Sequence, residues 1–197
     1  MIKLKEKSLN RTNVLYKKHM FDKLGGKTLE VLNLFLDNPN TEFYLREIAR
    51  KLKISTSTAK IALDILLEEK LVKEEKKANL RLFRADLDSN VFRKFKVIKN
   101  LKFIEKSNLV KKLLNDKIIS IILYGSYAKG INVKESDIDI LLIVREKISF
   151  NLSNINNTEL QLIQKTNKEF RELKQKDNPF YIEIITSGIP LYGELPI

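Results

Sequence analysis

The sequence IISIILYGSYAKGINVKESDIDILLIV, residues 118–144, decides the fold of the C-terminal half of the chain. It contains two apolar runs, residues 118–124 and residues 138–144, and each has the length of a single buried strand. The first run stops at Gly125-Ser126, and a polar connection of a dozen residues leads to the second. The pattern therefore predicts two buried strands that are neighbours along the chain.

Two carboxylates interrupt the start of the second run, at Asp137 and Asp139. Side chains two residues apart on a strand point to the same face of the sheet. Burying two like charges side by side costs on the order of several kcal/mol each unless something compensates them. A divalent cation held by oxygen ligands supplies that compensation, so the pair predicts a metal site. A solvent-exposed strand start is the alternative, because Lys134-Glu135-Ser136 before the pair are polar.

The spacing of Gly-Ser, ten residues and then Asp-Ile-Asp with an apolar tail resembles the signature of the DNA polymerase beta superfamily of nucleotidyltransferases. The resemblance is to the minimal nucleotidyltransferases within it, and it extends from Ile118 to the C-terminus, where Gly188 to Gly193 resembles their closing segment. It implies that Gly125, Ser126 and the following helix hold a nucleoside triphosphate. It also implies that the two aspartates hold two Mg²⁺ or Mn²⁺ ions.

A third carboxylate on a neighbouring strand commonly completes the metal site in this family, and Glu183 is the expected candidate. It lies in the apolar run FYIEII, residues 180–185, which is interpreted as a strand. The family pattern more often has Asp at this place, and an outward-facing strand residue is the alternative for Glu183. Lys129 is expected to neutralise the β- and γ-phosphates. Asp137, Asp139 and Glu183 are thus the predicted catalytic and metal-binding residues.

Between the Asp strand and residue 180 the sequence predicts an Asn-rich loop, residues 151–157, and then a polar helix. The helix has Leu160, Ile163, Phe170 and Leu173 as its inner positions and ends at Asp177-Asn178-Pro179.

The N-terminal half shows a different pattern, three amphipathic helices followed by a hairpin. Residues 44–72, YLREIARKLKISTSTAKIALDILLEEKLV, resemble a winged helix-turn-helix domain, in which the third helix enters the DNA major groove and the hairpin contacts the backbone. The resemblance implies DNA contacts from the start of the third helix and from the hairpin: Ser55, Thr56, Ser57, Thr58, Lys60, Lys76, Lys77 and Arg81. Winged helices also serve as protein-docking or dimerisation modules, and that alternative stays open.

Four segments follow from these patterns: a basic N-terminal arm or helix over 1–26, the winged helix-turn-helix over 27–90, a linker helix over 91–117 and the nucleotidyltransferase-like domain over 118–197. The fold class is α+β/α/β. Of the net charge of +12, residues 91–117 carry +7 and residues 118–197 carry −1. A basic excess on one part of a chain indicates a polyanionic partner, although a lysine-rich composition with a solvated surface would also produce it. The linker helix could extend a nucleic-acid surface, be merely solvated, or support a homodimer.

Composition excludes several function classes. The sequence has no cysteine, which removes disulfides, thiol catalysis and cysteine-ligated zinc. No run of 18 apolar residues occurs and the N-terminus lacks a signal-peptide core, so we expect a cytoplasmic protein without a membrane partner.

Two functions remain. The first is a Mg²⁺-dependent nucleotidyltransferase that acts on a nucleoside triphosphate and is coupled to a DNA-binding winged helix. The second is a transcription regulator, or an antitoxin-like protein with a protein partner, whose nucleotidyltransferase fold senses nucleotide or mediates assembly.

Overall fold

The computed structural model describes residues 23–77, 80–176 and 178–196. The chain divides into two compact units, with the division between Phe92 and Arg93. Because the described residues begin at 23, most of the predicted N-terminal arm over residues 1–26 lies outside them. Among the helices of the described ranges, none combines the length and the apolar composition needed to cross a bilayer.

The first unit contains three helices and a small antiparallel sheet, in the order predicted from the sequence. Its elements are α1 (Gly26–Asp37), β1 (Phe43–Tyr44), α2 (Leu45–Leu52), α3 (Thr56–Glu68), β2 (Val72–Lys77) and β3 (Leu80–Ala85). The strand order is β1-β3-β2. The helices bury one apolar stripe each, including Leu32, Phe35, Ile48, Leu63 and Leu66, all with 0% exposure. The predicted three helices and hairpin are confirmed.

A tight turn separates α2 from α3 and fixes where α3 begins. Lys53 adopts a left-handed conformation with φ of 53°, and this ends α2. Ser55 then caps α3, because its hydroxyl accepts a hydrogen bond from the backbone N–H of Thr58 at 3.0 Å.

The second unit begins within the helix Asn90–Lys106 and contains a mixed sheet. Its elements are α4 (Asn90–Lys106), α5 (Leu109–Leu113), β4 (Ile118–Tyr124), α6 (Gly125–Lys129), β5 (Ile138–Val144), β6 (Asn154–Ile155), β7 (Thr158–Thr166), α7 (Asn167–Gln175), α8 (Pro179–Ser187) and β8 (Ile189–Tyr192). The basic stretch expected as one linker helix is thus two helices. The break falls at Ser107-Asn108, where Asn108 has a positive φ of 56°.

The sheet has the strand order β6-β7-β5-β4-β8. Strand β4 pairs antiparallel with β5 and with β8, whereas β5 pairs in parallel with β7. Both edge strands are short: β6 has two residues, and β8 has four, one of which is Pro190. The two predicted strands of residues 118–144 are therefore the central pair of the sheet.

Alternation along the central strands produces two apolar faces. Ile121 and Leu123 of β4 belong to a cluster that includes Ile104, Leu109 and Leu113 from helices α4 and α5. On the other face, Ile122 and Tyr124 of β4 pack with Phe170 of α7 and with Tyr181 and Ile184 of α8. Both faces of the sheet are covered by helices, which explains why the central strands are almost continuously apolar.

The predicted polar helix after residue 157 is wrong in its first half. Residues up to Thr166 form strand β7, which is stabilised by its parallel pairing with β5. The helix begins only at Asn167, because Thr166 and Glu169 form a capping box: the Thr166 hydroxyl accepts from the Glu169 N–H and the Glu169 carboxylate accepts from the Thr166 N–H.

The predicted strand over residues 180–185 is also wrong, because this run lies in helix α8. Asn178 caps the helix by accepting a hydrogen bond from the Phe180 N–H at 2.9 Å, and Pro179 occupies the first turn. The buried positions are Tyr181 and Ile184, three residues apart, which is a helical spacing. A short continuous apolar run is compatible with either structure, and here the cap and the proline favour the helix.

Candidate functional site

The end of β4 and the start of β5 lie side by side, and this brings the Gly-Ser turn onto the Asp pair. Tyr124, the last residue of β4, is paired with Asp139 in the antiparallel register. Gly125 follows with φ of 66°, and a Cβ atom placed on it would lie 2.1 Å from Oδ2 of Asp139. The carboxylate of Asp139 therefore packs directly on the glycine backbone, and no other residue type fits there.

Asp137 and Asp139 are both half-buried at the start of β5. The pKa of Asp139 is raised by burial first, then by the negative charges of Asp137 and Glu183, while Lys129 acts in the opposite direction. The site thus concentrates negative charge that its own cation does not fully balance. The two aspartates lie close together, as predicted.

Glu183 lies near this pair, but on helix α8 and not on a neighbouring strand. Its Oε1 accepts a charge-assisted hydrogen bond from Nζ of Lys129, the last residue of α6. Both side chains remain partly accessible, with 29% of the Glu183 side chain and 41% of the Lys129 side chain exposed. Two residues predicted for different roles, metal binding and phosphate binding, are therefore bound to each other.

The position beside the aspartates on the neighbouring strand belongs to Gln161 of β7. Gln161 is paired with Asp139 in the parallel register, and its Nε2 donates a hydrogen bond of 3.0 Å to Oδ2 of Asp137. Sequence reasoning missed this residue because it treated the segment as a helix. The alternation of Glu159, Leu160, Gln161 and Leu162 has the period of a strand and could have identified it.

Buried polar contacts hold the connection after the Gly-Ser turn in place. Asn100 of α4 donates from Nδ2 to the Tyr127 carbonyl at 2.9 Å and to Oδ1 of Asn132 at 2.7 Å. Both asparagines are 5% exposed. Ser126 lies second in α6, and its carbonyl accepts from the Ile131 N–H at 3.1 Å. The turn is therefore fixed by the fold before any ligand binds.

Tyr124 forms an apolar wall at the edge of the site. Burial raises its pKa to about 12, with further contributions from Asp139 and Glu183. Its ring packs edge-on against Phe180 of α8, with 5.3 Å between ring centroids. The phenol is therefore neutral at physiological pH and adds no charge to the site.

The oxygen donors present fit a divalent cation. Asp137 and Asp139 supply hard carboxylate ligands from one strand face, and the missing side chain of Gly125 makes room for the Asp139 carboxylate against the turn. A third ligand of this kind is not in place: within residues 23–77, 80–176 and 178–196, no three Asp, Glu, His or Cys side chains form a group that could hold a metal ion.

In the first unit, the start of α3 carries most of the predicted DNA-binding residues. Ser55, Thr56, Ser57 and Lys60 are exposed, and Thr58 is half-buried with its hydroxyl 2.8 Å from that of Ser55. On the hairpin, Lys76 is exposed, and the side chain of Lys77 lies outside the described part.

Arg81 differs from the other predicted contacts, because two carboxylates already neutralise it. Its Nη2 donates to Glu74 at 2.8 Å and lies 3.8 Å from Asp64. The predicted residues at the start of α3 thus lie close together, whereas Arg81 forms ion pairs within the unit.

Comparison with known proteins supports the assignment of the second unit. Residues 107–195 match the family model described as "Polymerase beta, Nucleotidyltransferase". A curated relative from Methanocaldococcus jannaschii, named "Putative protein adenylyltransferase MJ0141", is 46% identical over 37 residues. That match covers 19% of this chain and 37% of the relative, so the chain spans little more than a third of its length.

Two solved structures are also similar: ZitR from Lactococcus lactis, solved as a C30AH42A mutant in apo form, and the transcriptional regulator BldR from Sulfolobus solfataricus. They are 16% and 15% identical, with TM-scores of 0.34 and 0.33, and each match covers 59% of this chain. The matches cover 85% and 88% of those two chains. Superpositions at these scores carry no argument about function. The family match supports a nucleotidyltransferase-type function for residues 107–195.

Proposed function

We propose that the second unit transfers a nucleoside monophosphate from a nucleoside triphosphate to an acceptor, in a reaction that depends on Mg²⁺. The observation that carries this proposal is the contact between Gly125 and Asp139, with Asp137 on the same strand face. The missing side chain of Gly125 lets the Asp139 carboxylate pack against the Gly-Ser turn, and the two carboxylates on this strand face can hold the cation that a triphosphate brings.

In this reaction an acceptor oxygen forms a bond to the α-phosphorus, and the bond from that phosphorus to the bridging oxygen breaks, releasing pyrophosphate. Asp137 and Asp139 are the residues that would hold a divalent cation at the reacting phosphate. When bound, the cation would stabilise the negative charge that develops at the reacting phosphate. The protein contributes mainly position and electrostatics, as is usual for phosphoryl-group chemistry.

Lys129 is the residue that would neutralise the outer phosphates. Its ammonium group already binds Glu183, so its positive charge is partly balanced and part of the Coulomb energy gained from the phosphate is offset.

A second candidate function is nucleotide sensing without efficient transfer. It is favoured by the neutral Gln161 at the strand position beside the aspartates, and by the pairing of Glu183 with Lys129. In that case the winged-helix-like first unit provides the output. We propose for both candidates that this unit binds DNA through the start of α3, where Thr56, Ser57 and Lys60 are exposed.

The test is thermal unfolding of the full chain with ATP, GTP, CTP or UTP, each with Mg²⁺ or with EDTA. Ligand at 100 times its dissociation constant adds about 2.7 kcal/mol, which shifts the midpoint by roughly 5–10 °C for a chain of this size. We expect a Mg²⁺-dependent shift with at least one nucleotide, and its loss in Asp139→Asn. Radiolabel transfer from the α-position of that nucleotide then separates transfer from sensing.

Glu135→Gln is the matched control. It removes one negative charge from the same connection, at an exposed position two residues before Asp137. A wild-type protein that no nucleotide stabilises, or an Asp139→Asn variant that is stabilised as well as the wild type, contradicts the proposal.

A further inference from the structure

Gln161 occupies the place where the sheet could have supplied a third charge to the site. Strands β5 and β7 run in parallel, and Asp139 and Gln161 are direct neighbours in the register. Neighbouring residues in a parallel pair project to the same face of the sheet. The amide is therefore on the same face as both aspartates, and its Nε2 lies 3.0 Å from Oδ2 of Asp137.

An amide at this position differs from a carboxylate in two ways. It carries no charge, so it does not help to balance a second divalent cation. Its N–H also donates to Asp137 and so occupies one of the lone pairs that a cation would use.

No other side chain replaces the missing charge. Glu183 is committed to Lys129 from helix α8. The closest carboxylate along β7 is Glu159, two residues before Gln161 and on the same face. Both side chains are exposed, but it is Gln161 that forms the hydrogen bond to Asp137. In the described residues no group of three metal-binding side chains is present.

We propose that Gln161 limits the site to a single divalent cation, held by Asp137, Asp139 and the triphosphate. This inference rests on the proposed nucleotide site. A single cation bound with the triphosphate would stabilise the leaving pyrophosphate, and there would be no second cation to lower the pKa of the acceptor hydroxyl. The chain therefore binds the nucleotide only together with a metal ion and transfers the nucleoside monophosphate slowly, because Gln161 limits the site to one cation.

The test counts bound Mn²⁺ on the full chain in the presence of an α,β-methylene nucleoside triphosphate, which cannot release pyrophosphate. Free Mn²⁺ is measured by electron paramagnetic resonance, with the analogue alone as the blank, for the base that gives the largest thermal shift. We expect about one Mn²⁺ per wild-type chain and about two per chain in Gln161→Glu, a substitution of nearly the same shape.

A second measurement does not depend on the nucleotide. In EDTA, Gln161→Glu places a carboxylate beside Asp137 where a hydrogen bond had been, so its unfolding midpoint should lie below that of the wild type. Mn²⁺ alone should raise this midpoint by more than it raises that of the wild type. Glu159→Gln is the control. We expect this variant to bind as many Mn²⁺ ions as the wild type, and its unfolding midpoint should respond to Mn²⁺ as that of the wild type does.

The outcomes distinguish the role of Gln161 from the existence of the nucleotide site. Two Mn²⁺ ions on the wild-type chain overturn the role of Gln161 and leave the nucleotide site intact, as does a Gln161→Glu variant that still binds one. A loss of Mn²⁺ in Glu159→Gln also overturns it, by identifying Glu159 as the ligand. If no analogue binds to the wild type in a Mn²⁺-dependent manner, the proposed function itself is overturned. If Gln161→Glu does not fold, the wild-type count decides.

Discussion

Gly125 combines two demands that only glycine meets, a left-handed backbone and a missing side chain where Asp139 packs. We predict that Gly125→Ala destabilises the protein by more than the roughly 1–2 kcal/mol expected for the left-handed conformation alone, because the added methyl group must displace the carboxylate. The same displacement should abolish the Mg²⁺-dependent nucleotide shift. Chemical denaturation and the thermal assay measure the two effects.

Gly26→Ala is the control for this prediction. Gly26 has a similar positive φ of 53°, but a Cβ atom there would meet nothing within 4 Å. The variant should show only the conformational cost and retain the nucleotide response. Equal losses of stability in the two variants would contradict the role given to Asp139.

At the same scale, the sequence predicted the core of the site and missed its surroundings. The Gly-Ser turn, Asp137 and Asp139 could be found because their positions follow from short-range spacing. The contacts of Gln161 and Glu183 depend on which strand lies beside β5 and on where a helix packs. Those are long-range arrangements, and no local spacing encodes them.

Helix α7 shows how one element is fixed by its first turn, and this leads to a prediction for pH. Glu169 accepts a hydrogen bond from Lys147 at 2.7 Å and another from the backbone N–H of Thr166 at 2.8 Å, and these lower its pKa from 4.5 to about 2. A carboxyl group with a lowered pKa in the folded state stabilises the protein above its unfolded pKa. That stabilisation is lost as the pH falls from about 4.5 to about 2.

The measurement compares the wild type with Glu169→Gln by denaturant unfolding between pH 7 and pH 2. The wild type should be the more stable of the two by a constant amount above about pH 5, and the difference should shrink towards pH 2. Glu172→Gln, an exposed position of the same helix, should show no such pH-dependent difference. A Glu169→Gln difference that stays constant down to pH 2 would contradict the assignment.

The two misassigned elements have different physical causes. In strand β7 the polar/apolar alternation covers only residues 159–162, and the parallel pairing with β5 fixes the whole segment as a strand. Helix α8 is an apolar run of strand length, and its Asn178 cap and Pro179 decide. The first unit was predicted well because its helices carry clear 3.6-residue periodicity and the hairpin pairs residues that are close in sequence.

Across the whole chain, charge is divided so that the basic excess precedes the nucleotidyltransferase-like part. With +12 in total and −1 over residues 118–197, a polyanion should bind mainly through the rest of the chain. We predict that duplex DNA binding weakens steeply with salt. If about five phosphates are neutralised, the affinity should fall about 500-fold between 50 and 200 mM salt. Fluorescence anisotropy across a salt series measures the slope.

Lys60→Ala should lower the slope by about one unit, as expected for a lysine that contacts a phosphate. Lys27→Ala removes the same charge from α1, where Lys27 is paired with Glu30, and should leave the slope unchanged. Binding that is insensitive to salt, or equal effects of the two variants, would argue against α3 as the DNA-binding element.

The short edges of the second sheet have a consequence for the behaviour of the protein in concentrated solution. Its central strands are aliphatic enough to promote amyloid-like association if they met another chain. Strand β8, with four residues and a proline, leaves little backbone for a foreign strand to extend on its side of the sheet. On the other side, β6 pairs only with Thr158 and Glu159 of the nine-residue strand β7. Protection against strand addition is therefore built into the β8 side of the sheet, and lengthening β8 without its proline would be the simplest way to remove it.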